Sequence, residues 1–200
     1  MTYIIIFLTV IVSIAALRNR TLFDRLSLVP YRVVHDRQWW RVITHGFVHG
    51  DYVHLAVNMF VLLSFGQFIE RFFGAYQQIG LVSNGDLWYL LLYFGGMVAA
   101  SVYDLIRYRN NPRYASIGAS AVVFASIFFN PWSKIYLLGV IPIPGIIFGL
   151  LYIGYSSYMG RRQGDRINHF AHLFGALFGF LFPLLMNPSF FSVFWDNLTK

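Results

Sequence analysis

The chain of 200 residues is 58% hydrophobic and 12% charged, carries a net charge of +7 and no cysteine, and has a mean hydropathy of +0.59. Soluble domains hold about 45–50% apolar and ~25% charged residues, so the balance excludes one and describes a single-domain polytopic membrane protein. The lack of cysteine excludes thiol nucleophiles, thiolate metal sites and disulfides, and basic residues set between apolar runs point to anionic lipid, not nucleic acid.

Residues 3–17 form an uncharged run of about 22 Å as a helix, shorter than a roughly 30 Å hydrocarbon core. Nothing basic precedes it, and Arg18-Asn19-Arg20 follows without a small-residue cleavage pattern, so it is expected to be a retained first span rather than a signal peptide. From 18 to 51, six arginines, Pro30, Trp39-Trp40 and several histidines mix with apolar residues. Trp and Arg suit headgroup depth, which predicts a long structured loop at the interface. A second span is expected over 53–73, ending in Glu70-Arg71, and a third over 86–106, interrupted by Gly95-Gly96 where another helix can approach. Asn110-Asn111-Pro112 stops the third and feeds Ser116-Ile117-Gly118-Ala119-Ser120. The fourth span, 119–130, is too short to cross a bilayer and must begin or end inside the protein. Pro142 and Pro144 lead into a fifth span over 143–159, the sixth covers 169–186, and the tail from Asn187 is interfacial. The expected fold is an all-α bundle of six transmembrane helices with a short buried fourth helix.

Polar side chains in apolar surroundings are costly, so each is a functional candidate. His54 and Asn58, four apart, share one helix face. They can serve as interhelical glue or as paired donors to an oxyanion. On the sixth span His172, Gly175 and Gly179 lie along one face, nearly bare of side chains, and Ala121 and Ala125 offer a matching small face directly after Ser120. Packing of the two would bring His172 to Ser120, where it can take the hydroxyl proton and return it to a leaving amine. No acidic residue falls within either span, so a dyad is favoured over a triad.

These motifs give the chain a resemblance to rhomboid intramembrane serine proteases over almost its whole length: Trp40-Arg41 in the first loop, His49 before His54-x-x-x-Asn58, Glu70-Arg71, Gly118-x-Ser120, and Ala171-His172-x-x-Gly175-x-x-x-Gly179. The resemblance implies Ser120 as nucleophile, His172 as base, and His54, Asn58 and the Ser120 N–H as oxyanion donors. It makes Phe124 the aromatic residue packed under the catalytic histidine, and Trp40, Arg41, Glu70 and Arg71 structural. It implies no cofactor or metal, and substrates that are transmembrane helices. It also implies a bacterial inner membrane location with the site opening to the extracytoplasmic side. One departure is Ala121, where the family usually has glycine; its methyl is expected to tighten the contact with Gly175 or Gly179. Twelve of the fifteen basic residues fall on the loops of the serine-bearing face, which the positive-inside rule would turn to the cytoplasm. Two other readings stand beside the protease: a silent relative that binds transmembrane helices without cutting them, and a metal protein built on His45, His49 and His54.

Overall fold

A computed structural model describes residues 1–116, 121–137, 140–162 and 169–200. Helix α1 (Thr2–Arg18) buries Thr2, Ile5, Thr9, Ser13 and Ala16, a stripe spaced by three and four residues, while Tyr3, Ile4, Phe7, Leu8 and Ile11 are exposed. Apart from Ile5, small and hydroxyl side chains form the buried stripe and large apolar ones face outward, as expected where lipid replaces water and close packing drives helix association.

The first loop is built from α2 (Arg20–Leu26), α3 (Pro30–His35), α4 (Arg41–Thr44) and a 3-10 turn at His45–Phe47. Asn19 caps α2 through the Leu22 N–H, and Pro30 at the first turn of α3 occupies a position where its missing N–H costs nothing. The buried Arg41 guanidinium donates to the carbonyls of Asp24 and Ser27, both at 2.7 Å, and to Gln38 Oε1 at 2.7 Å. The cation on α4 thereby ties that helix to α2 and to the turn at Gln38.

Asp51 caps α5 (Tyr52–Gln78) by accepting the His54 N–H at 2.7 Å, and Asn84 caps α6 (Gly85–Arg107) through the Leu87 N–H at 3.0 Å. At 27 residues α5 runs about 40 Å and continues five residues past the 53–73 expected from the apolar pattern. The chain turns only where Gly80 takes a positive φ of 75°. Helix α7 (Ala121–Phe129) has nine residues, all buried but Val123, and lies among α5, α6, α8 (Gly145–Arg162), α9 (His169–Met186) and α10 (Phe190–Leu198). Phe190 of α10 closes one end of the core, 4.7 Å from the Tyr76 ring and 5.4 Å from that of Phe129.

The fold is mostly helical but not all-α. Lys134–Leu137 (β1) and Ile141–Pro144 (β2) form an antiparallel pair with Lys134 opposite Pro144 and Tyr136 opposite Pro142. Proline in a helix interior lacks the N–H and clashes with the preceding turn, so the helix expected from 143 starts only at Gly145, and the prolines are tolerated on an edge strand. Among the described residues three helices can cross a membrane by length and composition, α5, α6 and α9, while α1 and residues Gly145–Met159 are apolar but shorter.

Candidate functional site

Ala121 opens α7 in a slot between two glycines. A β-carbon on Gly96 of α6 would overlap the Ala121 methyl, and one on Gly179 of α9 would overlap the Ala121 carbonyl oxygen. The methyl therefore points to α6 and the backbone abuts α9. This corrects the expectation that the methyl presses on Gly175 or Gly179: the close contact with α9 is made by main-chain atoms, and the methyl fits because residue 96 has no side chain. Gly175 is buried on the same helix. Phe124 and Ala125, one turn on, are buried, and the Phe124 ring lies 5.2 Å from that of Tyr152.

Beside Ala121 a cavity of about 70 Å³ is lined by His49, Asn58, Tyr93 and apolar side chains of α5 and α7. It is large enough for water, and His49 and Asn58 supply polar partners. Asn58 and His54 are half-buried on α5. The His54 ring meets His49 edge-on at 5.1 Å. His172 is half-buried on α9. Gly118 and Ser120 lie outside the described residues.

The loop histidines are held separately. The Ser13 hydroxyl lies 2.8 Å from both the Phe47 carbonyl and His49 Nδ1; with its one proton donated to the carbonyl, it accepts from the imidazole N–H. Ser101 repeats the device, lying 2.8 Å from the Met97 carbonyl and 3.0 Å from His45 Nε2. Burial pushes both imidazoles down to about 4, with the neighbouring His54 adding to the shift at His49. Both rings are thus neutral hydrogen-bonding struts. Among the described residues no three metal-ligating side chains converge.

Of the remaining sequence-selected residues, Trp40 is exposed and Arg41 buried. Glu70 accepts from the Thr2 N–H at 3.0 Å and from the Met1 amino group, joining α5 to α1. Arg71 is exposed, with one long contact of 3.5 Å to Gln67. Sequence reasoning passed over Asp104. This carboxylate, fully buried near the end of α6, accepts the Tyr114 hydroxyl at 3.0 Å and the Ser116 hydroxyl at 2.6 Å. The signal was present: Met97, Ala100, Ser101 and Asp104 share the buried stripe of an apolar helix, where a charge has to be matched by partners.

Residues 36–189 match the family model described as Rhomboid domain. The chain is 34% identical over 166 residues to RHOMBOID-like protein 4 of Arabidopsis thaliana, covering 78% of this chain and 37% of that protein. It is 30% identical to RHOMBOID-like protein 12, mitochondrial, over 68% of this chain and 43% of the relative, and 30% identical to Rhomboid-like protein 11, chloroplastic, over 74% and 53%, both from the same plant. The chain spans between about a third and a half of these relatives' lengths, and plant relatives lend no support to a bacterial location. With a matching domain model over most of its length and apolar helices fit for a bilayer, the chain is a membrane-embedded protein that belongs to the rhomboid family.

Proposed function

We propose that this protein is an intramembrane serine endopeptidase with a Ser120–His172 dyad, folded as a six-span bundle whose short fourth element is α7. The observation that carries the reading is the contact of Ala121, next in sequence to Ser120, with the α9 face that bears His172, Gly175 and Gly179, beside a cavity lined by Asn58. His172 takes the Ser120 hydroxyl proton as the oxygen attacks the scissile carbonyl. The carbonyl electrons move onto an oxyanion that Asn58, His54 and the Ser120 N–H stabilise. On collapse the C–N bond breaks, and His172 returns the proton to the leaving amine. Water then enters the same cycle, and the acyl-enzyme ester is hydrolysed to release Ser120 and a carboxylate.

The proposed substrates are transmembrane segments with a small residue at the cut and helix-weakening residues beyond it, because an intact helix keeps its carbonyls in its own hydrogen bonds. We place the opening on the extracytoplasmic side. The arginines of that face are then read as folding elements, the role Arg41 has here. The test is cleavage of a transmembrane substrate in lipid, with labelling by a fluorophosphonate. Wild type is expected to cut and label, and Ser120→Ala and His172→Ala to do neither while remaining folded. Helix binding without cutting or labelling in wild type would instead identify a silent relative.

A further inference from the structure

We propose that Asp104 is a positioning residue that holds the serine-bearing segment through Ser116, an inference that rests on the reading of Ser120 as nucleophile. Ser116 is gripped at every polar group it has. Its hydroxyl donates to Asp104 Oδ2 at 2.6 Å, its N–H donates to the Leu28 carbonyl at 2.9 Å, and its carbonyl accepts the Leu28 N–H at 3.0 Å. The other carboxylate oxygen accepts the hydroxyl of Tyr114, whose ring stacks on Tyr108 with centroids 3.7 Å apart and planes at 11°.

The anchor on the opposite side is equally firm. Leu28 is fully buried with Val33 and Val42 against Leu105 of α6, and Arg41 holds the preceding carbonyl, that of Ser27. The segment running from Ser116 to Ala121 is therefore tied at one end to the end of α6 and the first loop, and at the other to Gly96 and Gly179. Fixing both ends lowers the entropy that must be lost to bring the intervening Ser120 into line for attack.

The acid itself is informative. Burying a carboxylate is expensive unless it is hydrogen-bonded, and an O–H donor at 2.6 Å to an anion is a strong, short, directional bond. A neutral amide cannot replace it without turning one of its two acceptors into a donor that faces a hydroxyl. Asp104 thus supplies two acceptors to two hydroxyls of one loop, which orients that loop as well as stabilising it.

The test uses the full chain in lipid vesicles, with the fluorophosphonate labelling rate of Ser120 and the kcat and KM on a transmembrane substrate measured well below each variant's unfolding midpoint. Asp104→Asn and Ser116→Ala are expected to lower labelling and kcat by about 10- to 100-fold with KM within about twofold, the cost of misplacing a reacting group by up to an ångström. Ser116→Thr keeps the hydroxyl and is expected to restore the rate that Ser116→Ala loses. A wild type that fails to label overturns the nucleophile reading and the positioning role with it. A wild type that labels, with Ser116→Ala labelling equally fast, overturns the positioning role alone. The Ser116 pair decides the matter even if Asp104→Asn does not fold.

Discussion

Gly179→Ala tests the packing that sets α7 against α9. The added β-carbon would stand 2.8 Å from the Ala121 carbonyl carbon and 3.0 Å from its Cα, whereas ordinary contact begins at 3.4 Å. The two backbones must therefore part by at least the 0.6 Å difference from the carbonyl carbon, and by more to clear the carbonyl oxygen. Main-chain atoms cannot rotate away, so overpacking costs ~1–3 kcal/mol, offset by the roughly 1 kcal/mol that alanine gains over glycine in a helix. The rate is the more sensitive quantity, because misplacing a reactive group by about 1 Å can cost on the order of 10²-fold. The expected outcome is a modest fall in unfolding midpoint with a fluorophosphonate labelling rate reduced by one to two orders of magnitude, while Gly74→Ala, which meets nothing within 4 Å, keeps both. Gly96→Ala offers a sharper comparison, because its clash is with the Ala121 methyl. Adding Ala121→Gly should rescue Gly96→Ala by moving one methyl across the interface, and should not rescue Gly179→Ala, whose clash is with backbone. A Gly179→Ala variant with unaltered midpoint and labelling rate would refute the packing argument, as would equal rescue of both glycine variants.

Under the proposed mechanism Asn58→Ala is expected to lower turnover by about 10²–10³-fold with little change in KM, since an oxyanion donor acts on charge that develops only in the transition state; an unaltered rate with a lowered midpoint would make Asn58 helix glue. Arg41→Leu should destabilise the fold by roughly 1–3 kcal/mol for each carbonyl left without its donor, those of Asp24 and Ser27, read as a lowered midpoint. His45 and His49 are held near 4 against about 6.5 when unfolded, so between these values the unfolded state binds more protons. Their contribution is complete above about pH 6.5 and is lost as pH falls toward 4, on the order of 3 kcal/mol each at the limit; His45→Gln should flatten the fall in midpoint across that window. Because the chain has no cysteine, Arg109→Cys in the exposed loop after α6 is a single reporter, expected to react with an impermeant maleimide added outside intact cells; protection there would turn the candidate site to the cytoplasm.

Much of the helical framework was legible because lipid imposes a simple rule: a segment inside it must satisfy its own backbone and present apolar side chains. The runs around α5, α6 and α9 meet that rule in composition alone, and the caps Asp51 and Asn84 stand just before the starts expected at 53 and 86. Gly95-Gly96 could be read as a place for close approach for the same reason, since bare backbone on an apolar helix is of use only to a neighbour.

Which neighbour it serves was not legible. The spacing of Ala121, Gly175 and Gly179 pairs small faces of α7 and α9, but it does not say which way a single methyl points, and the tertiary packing sends it to Gly96. The pairing of Lys134–Leu137 with Ile141–Pro144 was hidden because Ile-Pro-Ile-Pro lies between apolar runs and takes its pairing from a strand that has meaning only once folded. The partners of Asp104 were hidden in a different way. Tyr114 and Ser116 are ten and twelve residues away, across a polar loop whose path no periodicity describes, and the Ser116 backbone is paired with Leu28, eighty-eight residues earlier. Periodicity and composition act within one segment and are set by the solvent around it, so the sequence by itself determines where the long apolar helices form. Register between segments is decided by which surfaces can approach most closely with all their buried polar groups satisfied, and only the assembled chain supplies that condition.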